Sequence, residues 1–474
     1  MDPSYRNWAL LRCIEGTQRS GWGSDSTKNQ STTITIGPTG KNVDVIVMDG
    51  ICGVPNHPEF AVNADGTGGS RYVQYDWYLL NALATSLDDD AATLLSGSYS
   101  YSADADANHG AHTTGTVAGN RQGWARDANI YQLGPLGTQQ GIGGTIVWDY
   151  VRAFHRNKPI NPATGRKNPT ICNCSFGSSY TFPSTNFGPI TQGTRRGVTV
   201  GDYTTNIALT SSQLNSLGMY NTTSGGTVYT TVPYYNVVFA ADVAAALSDG
   251  IIIVAAAGND SFFIDTTTGS DYNNNFVAKY SAIGNPSAAP SYLWYQHQGC
   301  YPAAVPGVIC VGAVDAVATE RKASYSNAGP RVDVYAPGTW IVSSLTTSTG
   351  GWFNGFTSPD SRNSSYYIGR NIGTSMAAPQ VTGVLACLLE IYPSMTPAQA
   401  MAYVKSYAKL SQLADTGGTS PTWTSDTSSL QGSVNRYLYL PQERPTSGEM
   451  YPKQNYLPRP SSGIMYPRTR LRLR

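Results

Sequence analysis

The sequence predicts an α/β fold with a mostly parallel central sheet and helices on both faces, and three observations predict it. Runs that are apolar at nearly every position recur along the chain: VDVIVMD (43–49), ANIYQL (128–133), TICNCSF (170–176), IIIVAAAG (251–258) and VICVGAV (308–314). Such runs suit strands covered on both faces. Helix-like segments alternate with them, which is the order that parallel pairing needs for its crossovers. The 49 glycines and 28 prolines among 474 residues point to many turns and long loops and argue against a helical bundle. With 40% hydrophobic and 13% charged residues the chain can bury a large core and is not intrinsically disordered as a whole.

Taken in order, helices are expected at TTGTVAG after His112, at IVWDYVRAFHRN (146–157) and at VVFAADVAAALSDG (237–250), where alanines and valines permit close packing on a sheet. The stretch SMAAPQVTGVLACLLEIY (375–392) is apolar almost throughout and reads as a central helix. Thr396 reads as an N-cap and Pro397 as the first residue of the helix PAQAMAYVKSYAKL. Stretches near 60–105, 178–235 and 260–300, rich in Tyr, Thr, Ser, Asn and Gly, have no sustained helical period and read as insertions. The second far exceeds the ~15 residues at which a loop becomes unusual, so it reads as a surface excursion that is functional or independently folded.

Residues 441–474 change character. Seven basic residues face only Glu443 and Glu449, six prolines interrupt the segment, and SGEMYP (447–452) returns as SGIMYP (462–467). Such a basic, Pro-rich tail reads either as a solvated end or as a peptide that docks on a partner. The whole chain has a net charge of +1 and so no field that favours nucleic acid or an anionic membrane. No stretch approaches the ~20 apolar residues of a membrane span, and the start MDPSYRNWALLRC lacks the layout of a secretory signal. Seven scattered cysteines read as buried thiols made in a reducing compartment, and Cys172 with Cys174 lacks the spacing and companions of a zinc site.

Five histidines exist, and the informative pair lies in NHGAHTTGTVAG (108–119). As an HxxH it is ambiguous, because no carboxylate base or third metal ligand accompanies it. Its companions decide the matter. Asp49 ends an apolar strand, where open α/β sheets place their sites. Ser375 follows Gly373 and Thr374 at the start of a helix, and Asn259 follows Gly258 at the end of another strand. Separately, Asp49 reads as a strand-end cap, Asn259 as a turn residue and Ser375 as an N-cap. Together an acid, an imidazole, a hydroxyl and an amide are a full set for acyl transfer.

These stretches resemble the subtilisin-like serine protease (subtilase) family, in the chain order Asp, His, Ser. The resemblance implies a subtilisin-like three-layer fold and a serine endopeptidase. Asp49, His109 and Ser375 match the catalytic triad, and Asn259 the oxyanion-hole asparagine. Ser175, Phe176 and Gly177 match the strand that pairs with extended substrate, and Ala256, Ala257 and Gly258 the opposite wall of the specificity pocket. Asp260 at the rim either favours a basic substrate side chain or is a solvated loop residue, and the insertion at 178–235 is expected to border or cover the cleft. His57, in NHPEF, matches a landmark without being catalytic. His112 reads as structural, and His155 and His297 as surface or loop residues.

The implied layout is an N-terminal extension at 1–42 packing on the domain, a peptidase domain at 43–440, and the tail at 441–474. Partners on this reading are a polypeptide substrate and a docking partner for the tail, with no nucleic acid and no membrane. No cofactor is required and no metal site is expected: VAGNRQGWARDANIY runs straight past the position of the family's strong calcium loop, and DADAD with Asp89 and Asp90 reads either as a flexible acidic loop or as a weak, oxygen-rich calcium site. No prodomain fits ahead of Asn7. The enzyme is therefore expected to fold unaided or to be regulated by its insertions, tail or an assembly such as a viral particle. The rival reading is a catalytically silent scaffold of the same fold.

Overall fold

The structure is a computed structural model, and it describes residues 8–17, 37–87, 97–134, 146–183, 188–205, 207–219, 221–279, 292–346, 357–417 and 429–440. Contacts divide the chain into Met1–Gln442 and Glu443–Arg474. The tail at 441–474, Asp89 and Asp90 lie outside the described residues.

A nine-stranded sheet forms the core. Its strands are β1 (Asp44–Met48), β2 (Tyr72–Val73), β3 (Asn129–Leu133), β4 (Thr170–Cys174), β5 (Ile252–Ala256), β6 (Ile309–Val314), β7 (Val334–Pro337), β8 (Lys409–Leu410) and β9 (Arg436–Tyr437). They lie in the order β8-β9-β7-β6-β5-β4-β1-β3-β2, and every neighbouring pair is parallel except β8 with β9. The five runs singled out by their apolarity are five consecutive strands of the sheet, β6-β5-β4-β1-β3, and β1, β4, β5 and β6 are buried at every position. Met48 is level with Leu133 and Cys174, so Asp49 leaves the sheet at its carboxyl edge.

Six helices matter for the site: α1 (Trp8–Glu15), α2 (Ala107–Ala118), α3 (Ile146–Asn157), α4 (Val237–Ser248), α5 (Thr374–Ile391) and α6 (Pro397–Tyr407). Buried from Thr374 to Leu389, α5 lies along β4 to β7 and packs on α2, while α3 and α4 pack on each other. The expected cap of α6 is present as a capping box between Thr396 and Gln399, with Pro397 in the first turn. Among the described residues α5 is the one helix long and apolar enough to cross a membrane, and its burial marks it as a core helix.

The insertions are not loops. Strand 179–182 pairs antiparallel with 227–233, which also pairs with 221–224. Strand 192–195 pairs with 198–201 and, across a long sequence gap, with 275–279, which pairs with 292–295. The segments at 178–235 and 260–300 therefore share a lobe with its own apolar cluster, including Phe182, Leu217, Val232, Val277 and Trp294. His297 is buried, contrary to expectation: its Nδ1–H donates to the Phe263 carbonyl and its ring packs edge-on against the Phe263 ring. His155 is half-buried on α3 and bonds Thr170 rather than lying in a loop.

All seven cysteines are buried and unpaired, and burial pushes their thiols up, Cys52 to about 11 and Cys310 to about 12. Packing of α1 is anchored by Trp8, whose indole N–H donates to the Thr339 carbonyl, and by Arg12, which makes two hydrogen bonds to Glu320 at 2.6 and 2.7 Å. Its apolar face meets Ala316, Ile341 and Met376. At the opposite, amino end of β1, the Lys158 ammonium bonds Asp44 at 2.8 Å with both side chains 4% exposed. Changing Lys158 to methionine leaves that carboxylate buried without its cation, so a stability loss of about 3–5 kcal/mol is expected. A urea titration should show it, with much of it regained in the Lys158→Met, Asp44→Asn double variant.

Candidate active site

Asp49 sits at the first position beyond β1, and its carboxylate is fully buried. Three donors hold it. Oδ1 accepts from the Gly50 backbone N–H at 2.7 Å and from His109 Nδ1 at 2.8 Å, and Oδ2 accepts from the Thr113 hydroxyl at 3.0 Å. His109 and Thr113 are one helical turn apart on α2, so both face the same strand end. Close approach of α2 to that strand depends on Gly110, where a Cβ would come within 1.7 Å of the Gly50 carbonyl oxygen.

With its Nδ1–H committed to Asp49, His109 presents Nε2 as its basic atom, and the 25% exposure of the side chain leaves that edge reachable. Burial alone would push the imidazole down. The charge and hydrogen bond of Asp49, with Asp106 beyond, outweigh it and hold the group above its ordinary value. His112, by contrast, is fully buried, donates from Nε2 to the Ile341 carbonyl, and is pushed by burial down to about 3. It therefore stays neutral and structural. His57 caps the short helix Pro58–Phe60, with Nδ1 accepting from the Glu59 backbone and Nε2 bonded to the Tyr367 carbonyl.

Ser375 is the second residue of α5, the helix that packs on α2. The turn before it needs Gly373, whose φ of 145° disfavours a side chain. The Ser375 hydroxyl donates to the Ser175 carbonyl at 2.9 Å, and among the described residues no hydrogen bond joins it to His109. Asp49 and His109 are thus directly bonded, whereas Ser375 stands on the adjoining helix with its hydroxyl turned to the neighbouring strand.

Asn259 is exposed beyond β5. Its Oδ1 accepts from both the backbone N–H and the hydroxyl of Thr374, each at 2.8 Å, which fixes the amide orientation and leaves Nδ2 as a donor facing outward. In the first turn of α5, the Thr374 N–H serves Asn259 and the Met376 N–H serves the Gly373 carbonyl, so the Ser375 N–H is left for a ligand.

Ser175 follows β4 and is buried, Phe176 is half-buried and Gly177 exposed, giving a short edge beside α5 just past the end of the strand. Ala256 and Ala257 are buried opposite, and the Gly258 N–H bonds the Thr374 hydroxyl at 3.2 Å. Asp260 is half-buried, and burial pushes its carboxyl up. Strand 179–182 starts two residues after Gly177, and its partner strand returns to the Ser178 carbonyl through the Tyr234 N–H. The lobe thus springs from the end of the 175–177 edge. Asp104 spends its acceptors at the start of α2, on the Ile51 and Asp106 backbone N–H groups. Among the described residues no group of three metal-ligating side chains exists.

Sequence reasoning missed Thr113, Thr374, Asn173 and Thr382, all hydrogen-bonded to or beside the named residues. Only Thr113 carried a signal, its spacing of one helical turn from His109.

The sequence profile described as "Subtilase family" matches residues 40–435. Subtilisin E of Bacillus subtilis (strain 168) is 38% identical over 108 residues, covering 23% of this chain and 23% of its own. An extracellular serine proteinase of Thermus sp. (strain Rt41A) is 35% identical over 120 residues, 25% of each chain. The matched stretch spans about a quarter of the length of these curated relatives. Among solved structures, a cold adapted subtilisin-like serine proteinase aligns with a TM-score of 0.48 at 21% identity, over 91% of this chain and 97% of that one.

Proposed function

We propose, since this chain belongs to the subtilase family, that it is a serine endopeptidase working through Asp49, His109 and Ser375. The observation that carries the reading is the buried Asp49 carboxylate bonded to His109 Nδ1 at 2.8 Å, which turns Nε2 toward the open side as a base. The Ser375 hydroxyl swings from the Ser175 carbonyl to that nitrogen as an extended substrate pairs with Ser175–Gly177. Its oxygen attacks the peptide carbonyl carbon while the proton passes to His109 Nε2. Asp49 stabilises the imidazolium. Asn259 Nδ2 and the Ser375 N–H, at the positive end of α5, take the developing oxyanion. Collapse expels the amine with the proton from His109, leaving an acyl-serine that water hydrolyses by the same steps reversed. The sequence calls on no cofactor.

Digestion of a proteome-derived peptide library, with a serine-directed fluorophosphonate probe alongside, tests the reading. Ser375-dependent cleavage and labelling are expected. A folded protein with neither would make the chain a silent scaffold.

The pH dependence follows from His109. Only the neutral imidazole accepts the serine proton, and Asp49 holds the group above 6.5, so kcat/KM should rise with pH along a limb centred above 6.5. Stability runs the other way. A raised folded-state value makes the protonated form favour the fold, a contribution fully present below the unfolded value and lost as pH rises through the folded one. A limb centred below 6.5 in a kcat/KM profile would contradict the Asp49 pairing as its cause.

A further inference from the structure

Pro379 leaves the carbonyl of Ser375 without its usual helical partner. In an α-helix the carbonyl of one residue accepts from the N–H four residues on, and four residues after Ser375 stands Pro379, which has none. The Ser175 hydroxyl takes that place, donating to the Ser375 carbonyl oxygen at 2.8 Å. Its proton committed, the Ser175 oxygen acts as an acceptor, and Asn173 Nδ2 donates to it at 2.9 Å. Asn173 Oδ1 accepts in turn from the Thr382 hydroxyl at 2.9 Å, about two turns further along the same helix. The three bonds run in one direction, from the body of α5 through β4 and back to the first turn of α5. Asn173 and Thr382 are fully buried and Ser175 is 2% exposed, so no water replaces a lost partner cheaply.

We propose that Ser175 and Asn173 are positioning residues: they replace the N–H that Pro379 lacks and hold the first turn of α5, with the Ser375 side chain and backbone N–H, in register with the substrate-binding strand. This rests on Ser375 being the nucleophile. Asn173 is placed by β4 and Thr382 by the buried length of α5, so the turn is referenced to the central sheet as well as to its own helix. The proline, which would otherwise loosen the turn, becomes the reason that the strand and the nucleophile are bound to each other.

The test is a cycle of Ser175→Ala, Pro379→Ala and their double variant in the full chain. It is read by kcat and KM, by the rate of Ser375 labelling with a fluorophosphonate, and by hydrogen exchange of the 374–378 amides. Ser175→Ala should lower kcat and labelling about tenfold and speed exchange. In the Pro379→Ala background the restored N–H bonds the Ser375 carbonyl, and the same substitution should cost about twofold or less. Thr382→Val, which breaks only the far end, should give a smaller loss in the same direction and serves if Ser175→Ala does not fold. Equal effects of Ser175→Ala in both backgrounds, or exchange that Ser175→Ala and Thr382→Val leave unchanged, would overturn the proposal. A wild-type protein that is never labelled would instead sink the protease reading, and the exchange comparison alone would then decide the positioning role.

Discussion

Ser375→Ala is expected to lower turnover by about 10⁶, a magnitude carried over from subtilisin, whose serine plays the matching part. What the substitution removes is the hydroxyl proposed to form the acyl-enzyme. What it leaves is nearly everything else: α5 still starts at Thr374, whose N–H and hydroxyl still bond Asn259, and the backbone N–H of residue 375 remains. The folded protein loses one hydrogen bond, from the hydroxyl to the Ser175 carbonyl, a cost of about 1 kcal/mol. Activity should therefore collapse while the melting temperature barely moves. Residual hydrolysis of ~10³–10⁴ over water should persist from the two oxyanion donors. Single-turnover kinetics on a peptide ester and a thermal melt check both halves. An alanine variant with more than a few per cent of wild-type turnover would show that another group performs the attack.

Asp49→Asn is expected to cost on the order of 10⁴ in kcat with the fold intact, about what loss of the matching subtilisin aspartate costs. Asparagine matches aspartate in size, so its oxygen can keep accepting from His109 Nδ1 and the Gly50 N–H at the Oδ1 position. The new amide then meets Thr113, whose hydroxyl already has an alternative acceptor in the Gly110 carbonyl at 3.2 Å and can turn to accept. Geometry survives, whereas the charge that stabilises the imidazolium does not. The same change removes the main influence holding His109 up, so the acid limb of the pH profile should move to lower pH as the maximum falls. A loss of kcat with no movement of the limb would show that Asp49 acts by placement alone.

What the sequence made legible follows from where its patterns are imposed. Strands at 43–49, 128–133, 170–176, 251–258 and 308–314 announce themselves because both faces are largely covered and most positions are apolar. Helix α3 begins and ends where its periodicity does, at Ile146 and Asn157. The lobe is opaque for the opposite reason. Its strands are short, partly exposed and rich in Thr, Gly and Arg, as in 192–195, and the second partner of that strand lies at 275–279, beyond the reach of any local pattern. His297 misleads because Gln and Gly flank it, and only the fold supplies Phe263 as its cover. In the candidate site, Asp49, His109, Asn259 and Ser375 are marked by motif, but their supports are not. Asn173 and Thr382 sit inside apolar elements where a hydroxyl or amide has many ordinary uses, and their roles exist only because Pro379 removes a donor nearby.

The placement of α1 bears on how the protein is made. This helix is synthesised before every strand of the sheet, yet the residues it packs against include Ile341 and Met376, translated long afterwards. The same delay separates Asp49 from Ser375. Until α5 emerges, a nascent chain holds Asp49 and His109 but not Ser375, and α1 waits for these later segments before it finds its seat.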